Sequence, residues 1–410
     1  MRLHLSAPAS RKIITGIKIT GSKSESNRLL LLQALFSNIE IANISNSDDA
    51  QVMQQGLKIS EGEVDIHHAG TAMRFLTAYF STQEGKEVVL TGSQRMTERP
   101  IKVLVEALES IGADIYYVKN EGYPPIKIKG KTLEKHKVSL PADISSQYIS
   151  ALLLIAPSLK NGLELELMGM ITSVPYIKMT LALLSQAGIE NSFEGNTIVV
   201  KPKKVVSKMK MVVESDWSSA SYFYSIVALC DVGTEITLSA YKEDSLQGDS
   251  ILAQIYTQFG VETIFDGHEI CLKKNKNITK GSSITLDLAN APDIAQTIAV
   301  TCFGLGMACY LEGLHTLKIK ETDRLEALQT ELSKLGASIS VTDKSLTLKT
   351  SHEIQKDVAI NTYNDHRMAM AFAPLALKQN LFINNAEVVS KSYPDFWNDL
   401  KKLQFGIKES

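Results

Sequence analysis

Apolar residues along this chain fall into blocks that repeat. Six times a short run of polar or small residues leads straight into an apolar stretch. The copies are GSKSESNRLLLLQAL from Gly21, AGTAMRFLTAYF from Ala69, DISSQYISALLLIA from Asp143, DWSSASYFYSIVAL from Asp216, APDIAQTIAVTCF from Ala291 and NDHRMAMAFAPLAL from Asn364. Each predicts a buried helix opened by a polar turn. After a shorter first interval the starts recur at roughly seventy residues, the mark of an internal repeat. A second pattern lies between the copies: an amphipathic stretch ending in Gly, then short alternations of apolar and polar residues. VEALESIGADIYYV, TLALLSQAGIENSFEGNTIVV, ILAQIYTQFGVETIFDGHEICL and LQTELSKLGASISVTDKSLTLK all follow it. The glycine suits a left-handed residue past a helix end, and the alternation is that of a half-buried strand. Each unit reads as strand–helix–strand–helix–strand–strand. Six such units make an α/β protein, with three per domain as the natural division.

Bulk properties narrow the picture. A single core stops growing near ~250–300 residues, so 410 residues imply two domains. The chain is 44% hydrophobic and 21% charged, with a net charge of −2; a nucleic-acid binder carries a basic excess instead. Cys230, Cys271, Cys302 and Cys309 form no CxxC pair and no Cys/His cluster at zinc spacing. Free thiols, no metal site and a reducing, cytoplasmic setting are expected. The start, MRLHLSAP, has no apolar signal core. The uncharged stretch from Ile294 to Leu311 contains Gln296, Thr297, Thr301, Gly304 and Gly306, and reads as a core helix rather than a membrane span. No nucleic-acid or membrane partner is expected.

Charge enters the picture at the polar turns. Helix N-termini carry free N–H groups and partial positive charge, and they bind anions. The plainer reading of any one turn is a simple helix cap. Basic residues beside so many turns weigh against it. Lys23-Ser24 with Arg28 sits at the first. Gly16 and Gly21 have P-loop spacing, but Ser22 precedes Lys23, so the motif fails and a nucleoside triphosphate is rejected. TGSQRMTERPIKVL carries Arg95 and Arg99 before Pro100, which fits a first helical turn; the motif alone leaves a surface role for Arg95 open. Lys320, Glu321 and Arg324 cluster at a helix start, where Glu321 and Arg324 could equally form a surface i,i+3 pair. His366-Arg367 opens the last apolar helix, and Lys391 precedes an aromatic cluster. The lysine runs Lys201–Lys210 and Lys273–Lys280 lack interleaved aromatics and read as solvated surface.

Ten segments, in order, resemble the enolpyruvyl transferases, and among them the 5-enolpyruvylshikimate-3-phosphate synthase family. They are GSKSESNR, AGTAMR, RMTERP, SSQY, SVPYI, SSASYF, Pro292-Asp293, KETDRL, YNDHRMAM and KSYPDF, and they span nearly the whole chain. The resemblance implies two globular domains of three βαβαββ units each, an inside-out α/β barrel arrangement. One domain would be residues 21–214, the other residues 1–20 with 215–410, and the site would lie in the cleft between them. It implies transfer of the carboxyvinyl group of phosphoenolpyruvate to the 5-hydroxyl of shikimate 3-phosphate, with no metal or organic cofactor, by a monomer. Lys23, Gly70, Arg95, Gln147, Arg324, Arg367 and Lys391 match the phosphoenolpyruvate site. Lys23, Ser24, Arg28, Gln147, Tyr176 and Asp293 match contacts to the shikimate moiety. Ser145, Ser146, Ser173 and Lys320 match the cradle of its 3-phosphate. Glu321, Asp293 and Lys23 are the matched candidates for proton transfer and for stabilising the intermediate. Both substrates are polyanions, for which arginine forks and helix N-termini are suitable partners. On this basis Arg324→Ala is expected to lose turnover far more than stability. His68, Phe75 and Thr316 depart from the common pattern. The first two sit beside Gly70 and bear on sensitivity to glyphosate; the third removes a usual ring-contacting Asn or His. The related transferases acting on UDP-N-acetylglucosamine carry a reactive Cys in the N-terminal half, whereas Cys230 is the first cysteine here.

Overall fold

The computed structural model describes residues 1–141, 145–169, 171, 174–351 and 353–410. The chain divides into two compact units, Gly21–Val213 and Met1–Thr20 with Glu214–Ser410. Glu214, assigned by sequence to the end of the first domain, groups with the second because its bonds lie there. Its carboxylate accepts from Trp217 Nε1 at 2.7 Å, Lys242 N at 3.0 Å and Ser245 Oγ at 2.7 Å.

In the 21–213 unit, strands Glu61–Asp65 and Glu87–Thr91 run parallel, and Ile126–Lys129 and Asp114–Tyr117 continue the sheet antiparallel. A second sheet repeats this order with Lys137–Pro141, Leu163–Met168, Thr197–Val200 and Asn191–Glu194. A parallel pair needs a crossover, and an apolar helix supplies it. Gly70–Ser81 and Ser146–Ile155 fill that role, with nearly every residue buried. Among the described residues the third sheet holds only Ile39–Ala42 paired with Met209–Val212. After the Asp48–Gly56 helix the chain passes directly to Glu61–Asp65 without a hairpin. The short first interval of the repeat is this missing hairpin.

Among the described residues the other unit carries three four-stranded sheets of the same plan. Ile14–Ile17 pairs in parallel with Glu235–Ser239, Ser283–Asp287 with Ala308–Glu312, and Val358–Ile360 with Leu381–Asn384. Arg2–Ser6 lies between Leu381–Asn384 and Gly406–Glu409 and so completes the sheet of the last repeat. The helix Trp217–Leu229 is buried along its whole length, and Ala295–Leu305 nearly so.

The four expected helix-ending glycines, Gly112, Gly188, Gly260 and Gly336, have φ of +112°, +74°, +76° and +96°. The third of these helices is a run of single turns, Gly248–Ile251, Leu252–Ile255 and Tyr256–Phe259. The Ile294–Leu311 stretch is the helix Ala295–Leu305 and the strand Ala308–Glu312; Gly306 is the left-handed cap between them rather than a residue inside the helix. Among the described residues no helix is long and apolar enough to cross a membrane. The four cysteines are free, three of them buried. One lysine departs from the solvated reading of its run. Lys274 is buried, and its ammonium donates to the carbonyls of Ala228 and Phe259 at 2.8 and 2.7 Å, where two helical segments end.

Candidate active site

The basic turns of each unit gather their own cluster. In the 21–213 unit, the helix Lys23–Leu35 begins after Ser22 and the helix Gly70–Ser81 after Ala69, and neither N-cap side chain closes the first turn. Lys23 Nζ lies 3.2 Å from Asp49 Oδ2, and His68 Nε2 lies 3.8 Å from Asp49 Oδ1. Asp49 itself is buried near the start of Asp48–Gly56.

Gly70 is where this unit concentrates positive charge. A Cβ placed on Gly70 would lie 2.6 Å from Arg99 Nη1. A guanidinium therefore lies against the opening of that helix, in space that any side chain at residue 70 would claim. Arg74 is buried one turn on. It donates to the carbonyls of Gly70 at 3.1 Å and Pro100 at 3.2 Å, and so ties the helix start to the segment that carries Arg99. Burial lowers the Arg74 guanidinium to about 10, and the nearby charge of Arg99 adds to the effect. No carboxylate pairs with Arg99 or Arg74 among the described residues.

Arg28 and Gln147 organise the rest of this cluster. Arg28 is buried; it donates to Thr180 Oγ1 at 2.8 Å, Ser24 O at 2.7 Å, Ser150 Oγ at 3.0 Å and Tyr176 O at 3.4 Å. Its guanidinium carbon lies 5.5 Å from the Phe75 ring centroid, so Phe75 provides a floor beneath it. Burial brings Arg28 down to about 10. Ser145 caps the helix Ser146–Ile155 and accepts from the Gln147 backbone N–H, while Gln147 Nε2 donates to Thr71 Oγ1 at 3.1 Å. Ser146 is buried in the first turn of that helix.

The cluster of the other unit is built around Arg324. This residue is 2% exposed and opens the helix Arg324–Lys334 behind its cap Asp323. Nε donates to Asp365 Oδ2 at 2.6 Å, Nη1 to Asp293 Oδ1 at 2.8 Å and Nη2 to Glu321 Oε2 at 2.8 Å. Burial works against its charge, but Asp365, Glu321 and Asp293 override it and hold the guanidinium above its ordinary pKa. The i,i+3 pair suggested by sequence does form, but as one edge of a buried network rather than on the surface. Asp293 also meets Lys320 Nζ at 3.5 Å and Arg367 Nη2 at 3.3 Å, and its carbonyl accepts from Arg367 Nη1 at 3.1 Å. Arg367 Nη2 donates to Ser218 Oγ at 3.2 Å, and Ser218 in turn donates to buried Asp249. Burial, with the charge of Asp293 beside it, pushes Asp249 up to about 6. Asp365 caps the helix His366–Phe372, accepting from Arg367 N at 2.8 Å, and Lys391 Nζ donates to Asn364 O at 2.6 Å.

The structure thus brings Lys23, Ser24, Arg28, Gly70, Ser145, Ser146, Gln147 and Tyr176 into one unit. It brings Asp293, Lys320, Glu321, Arg324, Arg367 and Lys391 into the other. Ser173 lies outside the described residues. Arg95 stands exposed on the short helix Gln94–Thr97 and pairs with Glu98 at 3.3 Å. The arginine of RMTERP that reaches Gly70 is Arg99. Pro100 also stands ahead of its helix, which runs Lys102–Ser110. The sequence reading singled out none of Asp49, Asp249 and Asp365, although Asp365 lies within its YNDHRMAM segment. Thr316 Oγ1 is buried and meets no hydrogen-bond partner among the described residues. No three His, Cys, Asp or Glu side chains converge as metal ligands among the described residues.

Similarity to known proteins matches this arrangement. The family model for EPSP synthase (3-phosphoshikimate 1-carboxyvinyltransferase) matches residues 58–400. A 3-phosphoshikimate 1-carboxyvinyltransferase of Bacteroides fragilis (strain YCH46) is 44% identical over 100% of this chain and 99% of its own length. One from Shewanella pealeana is 35% identical, over 96% and 97%. An EPSP synthase structure from Acinetobacter baumannii shares the fold, with a TM-score of 0.82 at 21% identity over the full length of both chains. The enolpyruvyl transferase NikO from Streptomyces tendae shares it at a TM-score of 0.73 and 13% identity, over 100% of this chain and 99% of that one. With its repeats, its two charged clusters and these matches, the chain belongs to the EPSP synthase (3-phosphoshikimate 1-carboxyvinyltransferase) family.

Proposed function

We propose that this chain moves the carboxyvinyl group of phosphoenolpyruvate onto the 5-hydroxyl of shikimate 3-phosphate, and that both clusters serve that one reaction. The observation that carries this reading is Arg324, which holds Asp293 and Glu321 at 2.8 Å each within a single buried network. Addition needs a base for the 5-hydroxyl proton and an acid that protonates C3 as the hydroxyl oxygen attacks C2. Loss of phosphate from the tetrahedral intermediate then re-forms the C2–C3 double bond and returns the C3 proton. Asp293 and Glu321 are two carboxylates locked in place for these transfers, and Lys23 is the third candidate.

Phosphoenolpyruvate would take Lys23, the Gly70 backbone, Gln147, Arg324, Arg367 and Lys391, with Arg99 in the place expected of Arg95. Shikimate 3-phosphate would take Ser24, Arg28, Tyr176, Gln147 and Asp293, with Ser145, Ser146, Ser173 and Lys320 at its phosphate. Cations fixed by protein bonds before substrate arrives need no reorganisation as charge moves in the transition state. Four free thiols support a cytoplasmic setting, and the reading takes the chain as a monomer acting without metal or organic cofactor.

Phosphate release, followed with both substrates and then with UDP-N-acetylglucosamine replacing shikimate 3-phosphate, tests the assignment. Release with shikimate 3-phosphate alone is expected. Release only with the nucleotide sugar would move the chain to the related transferases. Binding without release would make it a non-catalytic receptor.

A further inference from the structure

The turn that leads into Asp365, His366 and Arg367 has a backbone shape that its residues disfavour. Tyr363 and Asn364 stand side by side in the left-handed region, at φ of +53° and +56°. Asn tolerates that region, whereas for tyrosine the Cβ crowds the backbone. Such a conformation persists only where its surroundings hold it.

One helix supplies that hold at two points. Arg324 and Glu331 lie seven residues apart on Arg324–Lys334, two turns along one face. Arg324 donates to Asp365 at the end of the turn. Glu331 is fully buried and accepts from the Asn361 backbone N–H at 3.2 Å and from Tyr363 Oη at 2.6 Å. Lys334 Nζ neutralises the carboxylate at 2.7 and 2.8 Å. The turn then delivers two products: the Asn364 carbonyl that receives Lys391, and the Asp365 carboxylate that caps the helix carrying Arg367.

We propose that Glu331 and Tyr363 are positioning residues that keep the 361–365 turn wound and so fix where Lys391 and Arg367 present their charges to the phosphoenolpyruvate anion. The inference rests on the substrate assignment above. Neither residue belongs to the groups assigned to substrate. Tyr363 is a dependable donor, because burial and the adjacent Glu331 push its phenol up to about 12, so the clamp keeps its proton at working pH.

Tyr363→Phe keeps the ring and removes the donor at a position 37% exposed, so the fold should tolerate it. Glu331→Gln keeps the shape and removes the charge. In steady-state assays the KM for phosphoenolpyruvate should rise about tenfold in Tyr363→Phe, as expected for loss of a hydrogen bond to a charged group. The KM for shikimate 3-phosphate should stay within about twofold, and Glu331→Gln should shift the same constant in the same direction. A lower Tm with both KM values and kcat unchanged would reduce the clamp to ordinary stability, and equal rises in both KM values would mean general loosening; either result overturns the proposal. Amide exchange of residues 361–367 separates it from the functional reading. Faster exchange in both variants is expected even if the wild-type protein releases no phosphate, and unchanged exchange sinks the clamp by itself.

Discussion

The two charged clusters solve opposite problems. In the 21–213 unit, the helices starting at Lys23 and Gly70 have no side-chain cap, and Arg74 and Arg99 stand together at one of those ends. In the other unit, Asp216, Asp323 and Asp365 cap their own helices, and Arg324 is surrounded by carboxylates. The Gly70 end leaves Arg74 and Arg99 without a carboxylate among the described residues, whereas Lys23 is already paired with Asp49. The other unit spends its charge internally, and the result is a set of carboxylates held in fixed positions. Binding and proton transfer make these different demands, since a binding site gains from uncompensated charge and a proton-transfer site gains from geometry.

The sharpest way to break this comparison is Arg324→Ala. It leaves Asp293, Glu321 and Asp365 without their shared cation. Turnover should fall by more than about a hundredfold, read from phosphate release. Some stability is expected to go with it, because removing one partner of a buried ion pair costs about 3–5 kcal/mol. Thermal unfolding should show a matching drop in Tm, and near-normal activity would remove Arg324 from the site.

The cationic side is tested by a pair of variants. Arg99→Ala should raise the KM for phosphoenolpyruvate by about tenfold, and Arg95→Ala should leave it within about twofold. The reverse ranking would return the assignment to Arg95. A smaller effect is expected from Gly70→Ala. The new methyl would meet Arg99 Nη1 at 2.6 Å, and a flexible side-chain end can yield, so the KM should rise severalfold with Tm nearly unchanged. An unaltered KM would separate Gly70 from the anion site.

The smallest effect concerns pH. Asp249 has its carboxyl raised from an ordinary 3.8 to about 6, first by burial and then by Asp293. The folded state therefore holds this proton more tightly than the unfolded chain. Its contribution to stability is full below the ordinary value and is lost as pH rises through about 6. Asp249→Asn should flatten the Tm profile between about pH 4 and pH 7. A slope identical to wild type would show that Asp249 does not titrate in this way.

Much of the fold was legible because apolar periodicity is a local signal. The six polar-turn helices and the glycines that end the intervening ones, Gly112 through Gly336, follow from residues close in sequence. Even the short first interval was visible, although only the structure shows that it corresponds to a missing hairpin. Legibility failed where an outcome depends on distant partners. Arg95 and Arg99 are four residues apart in one motif, and only the fold shows which of them faces Gly70. Lys274 read as one more lysine in a run, because its two carbonyl partners end elements far away in the chain. The carboxylates around Arg324 come from three separate segments, so no local window could have shown how deeply that residue is buried.

The strand Arg2–Ser6 carries a consequence for folding. Its partners, Leu381–Asn384 and Gly406–Glu409, stand far along the chain, and the whole 21–213 unit intervenes between them. The entropy of closing so long a loop must be met before the pairing forms, which makes closure of that last sheet a long-range and therefore slow step.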